Sequence, residues 1–378
     1  MTIIIFALLL LFFIYAGLIL YFRWGWSQVK TYSPSSSDLN TTISVIIPAR
    51  NEAAVISKCL SSIENQSYAK HLFEVILIDD FSEDDTVSLA NQFSNVKVLE
   101  LKHYISDRIN SYKKKAIEIA IGEATGQLIV TTDADCIVPQ DWLATIAAFY
   151  QQTNANFIAM PVKISIAHNS FIEIFQALDF MTLQGITAAA VNKRMMNMCN
   201  GANLAYTKSS FEKAGGFAGI DKIASGDDML LMHKIYSNDP NSVHFLRSKN
   251  VIVTTQPVAT IKNFFNQRIR WASKADKYDD KRIFVVLLLV YLFNVLLVAL
   301  PVIGLVICNA LLLKWSLIVL AGKTIVELLF LYPVAKFFNA ANLLWIFPLM
   351  EPFHILYTVI AGWLGKFGSY EWKGRSVK

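Results

Sequence analysis

Apolar and polar positions are segregated along the 378 residues. Residues 2–22 and 283–313 carry no charge, and apolar stretches continue to 365 with few interruptions. Between them, 23–282 alternates short apolar runs with amphipathic stretches. Residues 43–48, 73–78, 96–101 and 127–132 read as short buried strands. Helical patterns follow each of them: to about 65, from Thr86, over 113–124 and over 140–150. Strands alternating with helices of about ten residues or more predict an α/β domain with a mostly parallel sheet, and about 260 residues is ample for one large domain. No internal repeat is visible.

Further along, 157–160 is a candidate strand, and 170–191 reads as a long apolar helix. Glu173 and Asp179 inside it argue for a core or interfacial helix rather than a crossing. A Gly/Asn-rich loop at 198–206 leads into a strand, and 225–232 opens a helix with two acids in its first turn, where the macrodipole favours them. Over 258–279, Phe264, Phe265, Ile269 and Trp271 interleave with Lys262, Arg268, Arg270, Lys274 and Lys277. That pattern predicts a helix lying in a membrane surface.

The run 2–22 is long enough to span a bilayer, which takes ~20 residues. A signal peptide would need a basic n-region and a small-residue cleavage site, and neither is present. Arg23, Trp24, Trp26 and Lys30 follow, as at a cytoplasmic membrane edge, so the amino terminus is expected outside and the globular part in the cytoplasm. Three C-terminal crossings are expected within 283–365, four being the alternative. Pro301 and Gly304 mark a hairpin or a kink, and Lys323 and Glu327 are spaced to pair on one helix face. The tail 366–378 is basic, which argues for a cytoplasmic end, whereas three crossings would put it outside; the two rules conflict.

Composition adds little. A hydrophobic share of 54% is too high for a purely soluble chain, and the net charge of +5 gathers beside the apolar segments. These basic residues read as membrane-flanking, not as a nucleic-acid surface. Four cysteines without CxxC or metal-ligand spacing read as small buried hydrophobes.

The candidate chemistry centres on 129–136, Ile-Val-Thr-Thr-Asp-Ala-Asp-Cys. Asp133 and Asp135 are two apart, so on an extended chain they point the same way, just past a strand end where open α/β sheets bind ligands. Two carboxylates there suit a hard divalent cation, and such a cation suits nucleotide phosphates; an acidic turn that merely ends a strand is the alternative.

Five motifs in order resemble one family: 44–52 (Ser-Val-Ile-Ile-Pro-Ala-Arg-Asn-Glu), 76–80 (Ile-Leu-Ile-Asp-Asp) with Ser82 and Thr86, Asp133 with Asp135, Gly226-Asp227-Asp228, and 267–271 (Gln-Arg-Ile-Arg-Trp). Together they are similar to family 2 inverting glycosyltransferases with a GT-A fold, and to the membrane-bound Gln-x-x-Arg-Trp branch. The resemblance covers about 43–272. It implies a GT-A Rossmann-like α/β domain at 43–256; with the hydropathy pattern, the expected layout is a membrane helix at 1–22, a linker at 23–42, that domain and an interfacial helix at 257–282.

The resemblance also implies roles. The donor would be a nucleotide diphosphate sugar, with uridine the favoured base. Pro48, Ala49, Arg50 and Glu52 would contact the nucleotide, and Asp79 and Asp80 would bind base and ribose, helix capping being their alternative role. Phe81 stands where the family often has Gly. Of Lys113, Lys114 and Lys115, Lys115 is the expected diphosphate contact. Asp135 would bind Mg2+ or Mn2+ directly, and Asp133 would contact the nucleotide or a metal-bound water.

Asp228, in the acidic pair with Asp227, would take the acceptor proton as the hydroxyl attacks from the far side of the anomeric carbon. Adjacent carboxylates repel, which favours proton uptake. Gln267 and Arg270 share a helix face; Arg270 would hold the leaving diphosphate, and Trp271 would face a sugar or lipid. The expectation is a multi-pass membrane enzyme with a lipid or lipid-linked glycan acceptor. A processive polysaccharide synthase and a non-catalytic nucleotide-binding scaffold are the alternatives. A transporter is disfavoured, because the membrane segments show no repeated halves. Oligomeric state is not legible.

Overall fold

The computed structural model describes every residue except 1, 35–37, 107–108, 196–197, 224, 275–279, 369, 373–374 and 378. In chain order the elements are α1 (Thr2–Gln28), β1 (Ile43–Ala49), α2 (Ile56–Glu64), β2 (Phe73–Asp79), α3 (Thr86–Ala90) and β3 (Val96–Glu100). Next come α4 (Tyr112–Glu123), β4 (Leu128–Thr131), α5 (Trp142–Thr153), β5 (Phe157–Ala159), β6 (Val162–Ile164) and α6 (Phe171–Asn192). They are followed by β7 (Leu204–Thr207), α7 (Lys208–Lys213), α8 (Met229–Asn238), β8 (Val243–Phe245) and β9 (Val253–Thr255). Last are α9 (Ile261–Ala272), α10 (Lys281–Val306), α11 (Ala310–Phe337), α12 (Phe347–Phe367), β10 (Tyr370–Trp372) and β11 (Arg375–Val377).

These elements fall into two compact units. One comprises Val29–Ser165 and Ala190–Gln256, the other Met1–Gln28, Ile166–Ala189 and Pro257–Lys378.

The first unit is built on a seven-stranded sheet in the order β3-β2-β1-β4-β7-β5-β8. β1 pairs in parallel with β2 on one side and β4 on the other. β7 runs antiparallel to both β4 and β5, and β5 pairs in parallel with β8. Val45, Ile46 and Ile47 are fully buried, the near-continuous apolar reading of a parallel strand covered on both faces. Chain order reverses around β1, the topological switch at which such sheets bind ligands beyond their carboxyl ends. The acids after β2 and β4 leave the sheet at that edge. A small second sheet pairs β6 with β9 in parallel.

In the second unit, α1 packs on α10 and α11, and α12 packs on α9 and α10. Among the described residues, five helices are long and apolar enough to cross a membrane: α1, α6, α10, α11 and the stretch Ala341–Phe367. Most of α6 is buried, whereas the other four present exposed apolar side chains such as Phe6, Phe13, Leu305, Leu317 and Leu349. Lys323 and Glu327 pair at 2.6 Å, as their spacing leads one to expect, and Lys323 also meets Glu351.

Several details differ from the sequence reading. α10 continues through Pro301 and ends at Val306; the turn comes at Cys308, in a left-handed conformation with φ 50°, and Asn309 caps α11 through the N–H groups of Leu311 and Leu312. α8 begins at Met229, so Asp228 is its N-cap and Asp227 precedes the helix. Cys59 and Cys136 are buried, but Cys199 is half-buried and Cys308 exposed. The end of the expected 258–279 helix, 275–279, lies outside the described residues.

Candidate active site

Two loops leave the carboxyl ends of β1 and β2 and interlock. The Arg50 guanidinium donates to the carbonyls of Asp80 (2.7 Å) and Phe81 (3.1 Å). The Asn51 N–H donates to Ser82 Oγ at 2.9 Å, and the Glu83 N–H returns to Asn51 Oδ1 at 2.8 Å. Glu52 N–H donates to Thr86 Oγ1 (2.8 Å) and Ala53 N–H to Asp84 Oδ2 (3.0 Å). Ser82 and Asp84 thus tie one loop to the other, and Asp84 Oδ1 also accepts from the Thr86 N–H at the start of α3 (3.0 Å). Pro48 and Ala49 are the last residues of β1, and Ala49 accepts from the Asp80 N–H.

Asp79 and Asp80 are both buried. Asp79 Oδ2 accepts from Ser82 N–H at 3.0 Å, so the carboxylate orders the loop. Its Oδ1 is buried without a hydrogen-bond donor among the described residues. A buried acceptor left unsatisfied is costly, and a ligand hydroxyl or N–H would relieve it. Phe81 adopts φ 55°, the conformation that a glycine takes at no cost, and its ring meets Tyr112 edge-on at 5.9 Å.

A second cluster gathers at the end of β4. Lys113, in the first turn of α4, places Nζ 2.8 Å from Asp133 Oδ1 and 3.3 Å from Asp227 Oδ2. Burial works against the Lys113 charge, but Asp133, Asp227 and Asp228 outweigh it and hold the ammonium well above the usual lysine range. Asp228 is fixed by two backbone donors, Gly201 N–H at 3.1 Å and Met229 N–H at 2.7 Å. An ionised carboxylate has about four lone-pair sites, so acceptor capacity remains. A Cβ on Gly201 would lie 3.2 Å from Asp227 Oδ2 and 3.5 Å from Lys113 Nζ, so the glycine keeps the loop close to the acids. Asp135 accepts from Thr255 Oγ1 at 3.1 Å and contacts Cys136 Sγ at 3.5 Å. Burial, then the neighbouring acids, pushes the Cys59 and Cys136 thiols up, which suits inert packing residues.

The structure thus brings Asp133, Asp227 and Asp228 together around Lys113. Lys115 is elsewhere: it pairs with Glu118 at 2.8 Å on the exposed side of the helix. The lysine that reaches the acids is Lys113, because α4 turns only that member of the triplet toward β4. Gly201 and Thr255 are contacts that the motif reading missed; the Gly/Asn-rich character of 198–206 was the available signal for the first.

No group of three or more His, Cys, Asp or Glu side chains arranged to hold a metal occurs among the described residues. Mg2+ is often bound by one or two carboxylates plus substrate phosphates rather than by an all-protein cage. Asp133 and Asp135, both partly open, fit that donor set.

Gln267, Arg270 and Trp271 belong to the other unit, on α9, and all three are half-buried. Arg268, between them, is buried; it donates to Gln267 Oε1 at 3.1 Å and stacks 4.2 Å from the Trp271 ring centroid. It pairs with Asp179 of α6 at 2.5 Å, and Tyr357 of α12 donates to the same carboxylate at 2.5 Å.

Residues 44–215 match the family model described as Glycosyl transferase family 2. The chain is 27% identical over 192 residues to Glycosyltransferase AglE of Haloferax volcanii, covering 50% of this chain and 59% of that protein. It is 29% identical over 133 residues to the beta-monoglucosyldiacylglycerol synthase of Trichormus variabilis, covering 34% and 28%. Both matches span less than two thirds of the relative's own length. Among solved structures, mannosyltransferase PcManGT from Pyrobaculum calidifontis, in complex with GDP-Man and Mn2+, superposes with a TM-score of 0.61 over 96% of this chain and 97% of that one, at 19% identity.

Proposed function

We propose, for a chain whose residues 44–215 form an enzyme domain of glycosyltransferase family 2 with the GT-A fold, that it moves one sugar, with inversion, from a nucleotide diphosphate sugar to a lipid or lipid-linked glycan at the cytoplasmic face of a membrane. The observation that carries the reading is the convergence of Asp133 and Asp227 on the Lys113 ammonium, with Asp228 locked beside them. The membrane part rests on the apolar helices and on α9 leading along the chain into α10. A glycolipid-synthesising relative supports a lipid acceptor.

Asp79 and Asp80 accept hydrogen bonds from the base and ribose, Asp79 through its unsatisfied Oδ1. Pro48 to Glu52 wall the nucleotide, fixed by their bonds to 80–86. Lys113 faces the diphosphate and balances the surrounding acids. Asp228 takes the proton of the acceptor hydroxyl as its oxygen bonds to the anomeric carbon and the bond to the nucleotide diphosphate breaks. Its two backbone bonds orient it for that task. Asp133 and Asp135 are the residues that would hold Mg2+ or Mn2+, which when bound neutralises charge on the departing nucleotide.

The test is a donor screen on protein purified in detergent with native lipid extract. UDP- and GDP-sugars are supplied with Mn2+, with Mg2+ or with EDTA. A single sugar in a lipid-extractable product, lost in EDTA, is expected. A long insoluble polymer would favour a processive synthase, and no turnover of any donor would contradict the proposal.

A further inference from the structure

The segment between α7 and α8 poses a structural problem. It contains no strand or α-helix among the described residues, and Gly215, Gly216, Gly219 and Gly226 in it all have positive φ. Such a segment is conformationally permissive, yet it ends in Asp227 and Asp228, which require a fixed placement. Two lysines restrain it. Lys234 of α8 donates to the carbonyls of Gly216 (2.7 Å) and Ala218 (2.8 Å). Lys114 of α4, almost wholly buried, donates to the carbonyls of Ile220 (2.7 Å), Ile223 (2.6 Å) and Ser225 (3.0 Å). An ammonium has three donors, and here three carbonyls spread over six residues meet it.

We infer that Lys114 is a positioning residue that sets the backbone leading into the Asp227–Asp228 pair; this deepens, and rests on, the proposed glycosyl transfer. Ser225, the last carbonyl that Lys114 holds, stands two residues before Asp227. Lys113, one residue earlier on the same helical turn, holds the Asp227 carboxylate and Asp133. One turn of α4 thus grips both the main chain ahead of the acids and a side chain of the pair. Burying an ammonium is expensive unless its hydrogen bonds are met. The three carbonyl bonds meet that cost, and what they secure is the placement of Ile220, Ile223 and Ser225. The consequence falls on catalysis more than on donor binding, because Asp228 acts on the acceptor hydroxyl while Asp79 and Asp80 stand at the carboxyl end of β2.

The experiment compares full-length Lys114→Met and Lys114→Ala with the wild type in detergent. Transfer is measured first on the wild type, which tests the proposed function separately. The expected result for both variants is a fall in kcat of at least tenfold, with donor KM changed less than threefold. Lys114→Ala leaves a space facing three carbonyls. Added n-propylammonium or n-butylammonium should recover part of its kcat, whereas n-butanol should not, and Lys114→Met, whose space is filled, should not respond. Independently of transfer, amide exchange in Lys114→Met should rise at least tenfold at Leu230 and Met232, whose N–H groups bond to Gly226 and Asp228, and stay unchanged in β1 and β2. That readout stands even if the wild type turns over no donor. Wild-type kcat in a folded Lys114→Met, or exchange at 226–232 equal to wild type, would overturn the inference. So would exchange raised uniformly across the sheet, which would make Lys114 a packing residue only.

Discussion

The Lys113 ammonium lies 2.8 Å from Asp133 and 3.3 Å from Asp227, joining two acids that are far apart along the chain. Removing the cation as Lys113→Met leaves these carboxylates facing each other and, on the proposed function, a donor diphosphate without its counter-charge. Transfer efficiency should fall by roughly 10²–10³ in kcat/KM, the scale of losing one preorganised charge-stabilising group. The surrounding acids hold the Lys113 proton above the usual lysine range. Wild-type activity should therefore show no loss from Lys113 deprotonation up to pH about 10. A pH–rate profile on both proteins checks this.

Phe81 carries a left-handed backbone angle with a large side chain. Phe81→Ala keeps that strain and loses the ring contact to Tyr112, whereas Phe81→Gly loses the ring but relieves the strain. The glycine variant should be the more stable by about 1 kcal/mol, despite having the smaller side chain. Thermal melting of the two variants in the same detergent decides the sign.

Asp179 and Arg268 are both buried and pair at 2.5 Å. Truncating one partner strands a buried charge, so Asp179→Ala should cost about 3–5 kcal/mol, while an apolar double replacement, Asp179→Leu with Arg268→Met, should recover part of it, the Tyr357 hydroxyl still lacking its acceptor. Arg268 also holds Gln267 and stacks on Trp271. The double variant should therefore fold yet transfer sugar more slowly. Melting temperature and kcat, measured side by side, separate the two effects.

Glu74 accepts from Ser44 Oγ (2.6 Å), Thr125 N–H (2.6 Å) and Thr125 Oγ1 (2.7 Å). Burial pushes its carboxyl upward, but these bonds outweigh it and hold Glu74 below the usual glutamate range. The stability it contributes is present above the unfolded value of about 4.3 and is lost as pH falls through the lower folded value. Wild type should exceed Glu74→Gln in stability at pH 6, and the gap should close as pH falls below about 4. Urea titrations at both pH values test the direction.

Much of this arrangement was legible in the chain because its signals are local. Apolar runs that stop at acids mark β2 and β4 and the loops beyond them. Asp133, Asp135, Asp227 and Asp228 are placed by their spacing to strand ends or helix starts. The lysine was not legible: consecutive helical residues point about 100° apart, and three lysines in a row carry no phase. Only the packing of α4 against β1 and β2 turns Lys113 to the acids and Lys114 inward, leaving Lys115 beside Glu118. Thr255 comes from β9, three residues long, too short to show alternation, and it meets Asp135 across 120 residues. Pro301 lies inside α10, and the hairpin that it and Gly304 signal is made at Cys308, four residues past Gly304.

In the proposed reaction Asp228, oriented by Gly201 and Met229, removes the acceptor proton. The most direct measurement compares wild type and Asp228→Asn for both nucleotide-sugar binding and transfer. Asparagine keeps the size and one acceptor oxygen but is not a base. Donor affinity should stay within about threefold of wild type, and kcat should fall on the order of 10²–10⁴. Transfer at near wild-type rate in Asp228→Asn, with donor bound normally, would contradict that role.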